Sequence, residues 1–189
     1  AVNADPVFVE VTDDLTIDLD HLARLVAETD AKVLLRSHMR GHICDMELLM
    51  QICDGAGVKV VEDCAHTMGA AWKGVASGRH GAMAAYSTQT YKHINSGEGG
   101  FLVTRSPDLM ARAVIRSGSY MLHDRHLAGP GPEAYVDARL DTPNCSSRMD
   151  NLRAAILRPQ LRTLDGQVRR WNERYRAIED GLLPGEVLP

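Results

Sequence analysis

Lys92 stands in the segment Tyr86-Ser87-Thr88-Gln89-Thr90-Tyr91-Lys92-His93-Ile94-Asn95-Ser96-Gly97-Glu98-Gly99-Gly100. The segment leaves an apolar run, turns polar, and closes on three glycines in four residues. Glycine at that density lets a backbone pass through positive φ and lie close to a bound group. A lysine held there can lose hydration, and the lowered pKa that follows frees its amine to attack a carbonyl. A solvated surface lysine is the ordinary reading of such a loop, and a second stretch weighs against it. In Val58-Lys59-Val60-Val61-Glu62-Asp63-Cys64-Ala65-His66 a buried-type strand ends on Asp63, with His66 three residues beyond. An amine, an acid and an imidazole therefore follow the ends of two strands, and Ser87 adds a hydroxyl at the end of the second. A metal centre is the competing use of this chemistry, since His38, His42, Cys44, Cys53, Cys64 and His66 gather in the sequence. No pair has Cys-x-x-Cys spacing, His38-Met39-Arg40-Gly41-His42 lacks the glutamate of the zinc-protease helix, and Gly41 disfavours a helix there. No metal is assigned.

The elements that must position these groups alternate. Pro6-Val7-Phe8-Val9-Glu10-Val11 is β-rich and predicts a strand. Asp18 or Asp20 caps a helix carrying Leu22, Leu25 and Val26 at helical spacing. Lys32 to Arg36 has strand length, and Ser37 to His42 reads as a polar turn. Asp45 caps the next helix, whose Met46, Leu49, Met50 and Cys53 share one face. Val58 to Val61 and Met83 to Tyr86 are further strands, separated by a tight excursion through Gly69 to Gly74. Strands alternating with such helices argue for a parallel sheet covered on both faces. Phe101-Leu102-Val103-Thr104 is one more strand, and Ser106-Pro107 starts a helix through about Arg116. Gly118 to Pro143, broken by Gly129, Pro130, Gly131 and Pro132, reads as a long loop. A helix carrying Met149, Leu152, Ala155 and Ile156 follows, which Pro159 should kink or end. Leu164, Val168, Trp171, Tyr175, Ile178 and Leu182 then form an apolar stripe that reads as a packing seam.

Composition bounds the function classes. A chain of 189 residues, 44% hydrophobic and 24% charged, has the make-up of a globular domain with a sizeable core. Its formal charge of −4 gives no general attraction to nucleic acid or an anionic membrane. The arginines from Arg148 to Arg176 lie mainly on polar helix sides and accompany no nucleic-acid motif. No apolar run approaches the roughly 18 residues that span a bilayer. Cys44, Cys53, Cys64 and Cys145 sit at irregular spacings, which reads as reduced thiols in a cytoplasmic protein. No Gly-x-Gly-x-x-Gly follows a strand, so a dinucleotide site is not indicated.

The two motif stretches resemble the DegT/DnrJ/EryC1/StrS sugar aminotransferases, fold-type I enzymes dependent on pyridoxal phosphate (PLP). That family shows Glu-Asp-x-Ala-(Gln or His), then Ser-x-x-x-x-Lys-x-x-x-x-Gly-Glu-Gly-Gly. Glu62-Asp63-Cys64-Ala65-His66, Ser87, Lys92 and Gly97-Glu98-Gly99-Gly100 follow it in register. The resemblance implies an α/β fold, the three-layer large domain of the PLP-dependent transferases, with a mainly parallel sheet between helices. Family members are about twice this length, so it implies an incomplete large domain over 1–145, and helices over 146–189 leading into a truncated small C-terminal domain.

The resemblance also implies roles. Lys92 would be the Schiff-base lysine and proton shuttle, and Asp63 would pair with the pyridine nitrogen. Ser87 would donate to the cofactor phosphate, and His66 would lie near the ring or its hydroxyl. Many members carry Asn-x-Arg-Met, whose asparagine reaches the phosphate in the partner subunit. Here Ser146 precedes Arg148-Met149 and Asn144 lies two residues early, so neither is assigned that contact. The implied assembly is a homodimer with composite active sites, without nucleic-acid or membrane partners. The implied reaction moves an amino group from an amino acid, glutamate or glutamine, to a keto-sugar, a nucleotide-linked keto-sugar or a keto-cyclitol. Relatives that carry histidine in place of the lysine perform dehydration, and Lys92 favours transamination. The alternative is a non-catalytic or fragmentary PLP-fold protein with a binding or assembly role.

Overall fold

The structure, a computed structural model, describes residues 3–118 and 121–182. Its centre is a four-stranded sheet of β1 (Val33–Ser37), β2 (Lys59–Asp63), β5 (Met83–Ser87) and β6 (Gly100–Thr104), in the order β1-β2-β5-β6. The first three strands run parallel and β6 pairs antiparallel with β5. Between β2 and β5 the excursion is a small antiparallel hairpin, β3 (Ala71–Trp72) with β4 (Val75–Ala76).

Two helices are set by their caps. Asp18 accepts the His21 N–H at the start of α1 (Leu19–Glu28), and Asp45 accepts those of Glu47 and Leu48 at the start of α2 (Met46–Gly55). Each carboxylate satisfies backbone donors that the first helical turn leaves open. Their apolar faces bury Leu22, Met46, Leu49 and Cys53 against Val58 and Val60, and this is the main core. The expected cover on both faces is met on one face only by the described residues: Val33 and Leu35 on the opposite face are 59% and 68% exposed, and Ala85 and Leu102 are exposed on the neighbouring strands.

Three further expectations are corrected, the last in one of its two alternatives. Residues 6–11 form no strand; only Val11 pairs, in a single bridge with Ile17, and Phe8 is exposed. No neighbouring strand among the described residues takes up the hydrogen-bonding groups of that run. The region read as a loop contains α4 (Tyr135–Asp141), which buries Tyr135 and Ala138 against Ala111, Val114 and Ile115 of α3 (Pro107–Ser117). A seven-residue helix with two core positions leaves too little periodicity to read. Pro159 lies inside α5 (Asn151–Arg162) without ending it, and the break before α6 (Leu164–Gly181) falls at Thr163. Buried Leu157 on one side of Pro159, and Gln160 bonded to Asn95 on the other, hold the helix across the missing N–H.

Candidate active site

Strand alternation divides the two acids at the end of β2. Glu62 points into the core and is fully buried, while Asp63 faces the open side. Asp63 is the register partner of Ser37 on β1 and of Ala85 on β5. Its Oδ2 accepts from Ser37 Oγ at 3.1 Å and its Oδ1 from the Ala65 N–H at 3.0 Å. Ser87 lies two residues beyond Ala85, so its side chain shares the face of Asp63 at the adjacent strand end. Ser87 Oγ accepts the Gln89 N–H at 3.2 Å, which leaves its own hydrogen free to donate.

The lysine segment folds back on the same edge. Thr88 N–H donates to Gly99 O, Thr90 N–H to Gly97 O, and Ser96 N–H to Thr88 O, so the segment extends the β5–β6 pair as a closed loop. Gly99 adopts φ +126°, and a Cβ there would lie 2.8 Å from Met149 Cε and 3.0 Å from Thr88 Oγ1. Only glycine combines that conformation with that approach. From the side, α5 clamps the loop: Gln160 Oε1 accepts the Asn95 N–H at 3.0 Å and Gln160 Nε2 donates to Asn95 O at 2.7 Å. Helix α6 completes the wall. Leu164 and Val168 pack over Gly69, and the Trp171 ring lies 4.9 Å from that of His93. Its later positions Tyr175 and Ile178 are 64% and 63% exposed, so the apolar stripe of α6 acts as a seam along its first half only.

Electrostatics links the remaining groups. Burial lowers the pKa of His93, and the charges of His66 and Lys92 lower it further, so three basic side chains share one neighbourhood. Lys92 forms no ion pair among the described residues. His66 is fixed through Nδ1, which accepts the Arg40 N–H at 2.9 Å. Asn144 turns back on its own chain, its Oδ1 accepting the Ser146 N–H at 2.8 Å, while Arg148 donates to Gly118 O at 2.6 Å.

Beneath the edge, His38, Glu62 and Cys64 bring three potential metal ligands together in the core. The Glu62 oxygens are already engaged by the N–H groups of Gly78, His80 and Gly81, at 2.7 to 2.9 Å, and by His38 Nε2 at 3.0 Å. Burial pushes the Glu62 carboxyl up, but the bonds from His38, Gly81 and Gly78 and the His38 charge outweigh it and hold its pKa at about 2. This is the chemistry of a satisfied buried carboxylate, with no lone pairs left over for a cation.

Ser37, Gln160 and the backbone of Arg40 were not found from sequence. Ser37 could have been, because it ends the strand that precedes and parallels β2. Gln160 is 65 residues from its partner and carries no motif.

The sequence profile of the DegT/DnrJ/EryC1/StrS aminotransferase family matches residues 1–186. Among characterised relatives, an L-glutamine:2-deoxy-scyllo-inosose aminotransferase of Streptomyces lividus is 35% identical over 96% of this chain and 42% of its own length. A dTDP-3-amino-3,4,6-trideoxy-alpha-D-glucose transaminase of Micromonospora megalomicea subsp. nigra is 34% identical over 96% of this chain and 46% of its own. The solved E. coli GDP-4-keto-6-deoxy-D-mannose-3-dehydratase with bound hydrated PLP superposes with TM-score 0.69 at 26% identity, covering 89% of this chain and 45% of that one. The chain thus spans less than half the length of these proteins.

Proposed function

The chain belongs to the DegT/DnrJ/EryC1/StrS aminotransferase family, and from that premise we propose that its sheet edge binds PLP and serves a transamination. The amino group would pass from glutamine or glutamate to a keto-cyclitol or a keto-sugar, free or nucleotide-linked; the names of the relatives include L-glutamine with 2-deoxy-scyllo-inosose, and a dTDP-linked amino sugar. The observation that carries the proposal is the strand register. It sets Asp63 and Ser87 on one face at adjacent strand ends, with the Lys92 loop closed over the same edge.

The side chains fit the cofactor by their donor chemistry. Each Asp63 oxygen accepts one hydrogen bond and keeps a lone pair for another donor. Ser87 keeps a hydroxyl hydrogen, and Lys92 offers an amine not committed to any ion pair among the described residues. When bound, PLP supplies an electron sink that makes the α-hydrogen of an attached amine acidic. Asp63, its carboxylate oriented by Ser37 and Ala65, would hold a proton on the ring nitrogen by Coulomb attraction. Lys92 Nζ would tether the cofactor and would be the base positioned to move the α-proton. Ser87 Oγ–H would donate to the phosphate, and His66 would lie near the ring or its hydroxyl.

The same proposal includes a homodimer with composite sites, in which the segment from Asn144 to Met149 faces the partner. It includes a division into large-domain residues 1–145 and a segment 146–189 whose helices lead into a small C-terminal domain, residues 183–189 lying outside those the structure describes. Cytoplasmic residence belongs with it, supported by four unpaired cysteines of which three are buried. Among the described residues no helix is long and apolar enough to cross a membrane.

The test is a PLP titration followed by borohydride reduction. The expected result is a visible absorbance band and a covalent adduct mapping to Lys92, absent in Lys92→Ala, followed by amino transfer from L-glutamine to a keto-cyclitol. Binding without any adduct at Lys92 would overturn the assignment.

A further inference from the structure

The turn between β1 and α2 is held far more firmly than a surface connection needs. Arg36, itself 7% exposed, donates to Ser37 O at the start of the turn and to His42 O, at 3.2 Å, at its end. His38 is 1% exposed, its N–H donates to Asp63 O at 3.1 Å, and its Nε2 meets Glu62 Oε2 at 3.0 Å. Because both Glu62 oxygens only accept, His38 Nε2 must carry the proton of that bond. Between these anchors Arg40 takes the left-handed conformation, φ 56° and ψ 13°, which a side chain resists. What that conformation achieves is the direction of one backbone N–H: it points at His66 Nδ1, 2.9 Å away.

We propose that the His38–Gly41 turn is a positioning device that fixes the tautomer of His66, with its proton on Nε2. A backbone N–H can only donate, so the nitrogen it meets must be the unprotonated one. In the neutral ring the hydrogen then sits on Nε2, at the far side of the imidazole from the turn. His66 thereby offers a hydrogen-bond donor at Nε2, suited to an oxygen anion on a bound aromatic ring. That last role rests on the PLP reading; the tautomer is a property of the chain alone. His38 acts through the turn and through His66, as a positioning residue anchored on Glu62.

The experiment is long-range proton–nitrogen correlation NMR on the uniformly 15N-labelled full chain without cofactor, with His66 assigned by His66→Gln among the eight histidines. The expected pattern is a protonated Nε2 and an unprotonated Nδ1 for His66; a protonated Nδ1 overturns the proposal. His38→Gln, whose amide can donate where Nε2–H stood, should keep the pattern. His38→Ala should mix the two tautomers, and an unchanged His66 in a folded His38→Ala overturns the positioning role. Should that variant not fold, Arg40→Gly tests the same link. It keeps the N–H and relieves the left-handed strain, so His66 must keep its tautomer, and a switch overturns the proposal.

PLP then separates the two readings. His66→Gln, with a donor near the Nε2 position, should bind within about threefold of wild type, and His66→Asn about tenfold more weakly. The reverse order overturns the donor role. If the Nε2–H tautomer is present and PLP produces no band and no movement of the His66 signals, the cofactor reading fails while the tautomer assignment stands.

Discussion

Ser37 Oγ donates to Asp63 Oδ2 at 3.1 Å across the β1–β2 pair, in which the two residues are direct register partners. The bond aims a carboxylate that the Ala65 N–H holds from its other oxygen. Ser37→Ala removes one neutral-to-charged hydrogen bond at a part-buried site. About fivefold weaker PLP binding is expected, with stability changed by less than about 1 kcal/mol. Asp63→Asn keeps the shape and loses the charge, and should weaken binding by roughly tenfold to a hundredfold. Absorbance titration of the three proteins measures both. Equal losses for the two variants would mean that charge at Asp63 is not what the ring nitrogen meets.

His93 reports whether the basic groups truly share a site. Its pKa is lowered first by burial and then by the charges of His66 and Lys92. Removing either charge should raise it. An NMR titration of His93 is expected to move upward in Lys92→Ala and in His66→Gln, each by only part of the depression because burial remains. A His93 titration identical in all three proteins would place Lys92 and His66 away from it. The same depression has a sign for stability. The unfolded chain takes up this proton at higher pH than the folded one, so His93 costs stability as pH falls below about 6.5.

The network beneath the edge sets an acid limit. The Glu62 pKa is lowered from 4.5 to about 2, so its contribution is complete above about pH 4.5 and is lost as pH falls toward 2. Glu62→Gln presents an amide NH2 to backbone N–H donors and leaves at least one of them without a partner. A loss of about 3 kcal/mol is expected at pH 7. Denaturant melts of wild type and variant at pH 7, 4 and 3 check this. The gap between them must narrow as the solution is acidified, and a constant gap would assign the effect to shape alone.

The fold was legible where one element carries its own signal. Asp18 and Asp45 announce helices because a carboxylate satisfies the first-turn N–H groups; Asp45 caps as read, and of the two candidates Asp18 and Asp20 it is Asp18 that caps. Met46, Leu49 and Cys53 repeat often enough to mark a buried face. Lys92, Asp63, Ser87 and His66 stood out because motif spacing is local. What escaped depends on partners distant in the chain. Pro159 signals a kink or an end through its own chemistry, yet burial of Leu157 and the bond of Gln160 to Asn95 carry the helix past it. Tyr135 signals nothing by itself; its burial is decided by α3. Arg40 is the extreme case, since no residue type announces that its backbone N–H will serve His66.

Gln160 should govern the mobility of the lysine loop. Its side chain both accepts from and donates to the backbone of Asn95, three residues past Lys92. Gln160→Ala removes both bonds at a part-buried position. Exchange of the Asn95 amide hydrogen should quicken by about tenfold or more, while amides of β2 keep their rates. Slow exchange at Asn95 in the variant would show that the loop is held by its own hydrogen bonds to Thr88 and Thr90.

Gly69 tests how tightly α6 is seated. It has φ +85°, and a Cβ there would lie 2.5 Å from Val168 Cγ2 and 3.6 Å from Leu164 Cδ1. Gly57 has φ +70° with nothing within 4 Å of its would-be Cβ. Gly57→Ala therefore carries conformational strain alone, about 1 kcal/mol. Gly69→Ala carries similar strain plus a clash that α6 must yield to, and about 2–3 kcal/mol is expected. Since α6 also carries Trp171 against His93, the same shift should alter Trp171 fluorescence in Gly69→Ala and leave it unchanged in Gly57→Ala. Urea unfolding read by fluorescence gives both quantities in one experiment. Equal losses in the two variants, with an unmoved emission spectrum, would mean that α6 rides free of the Gly69 turn and that the tilted ring contact with His93 is not part of the wall of the site.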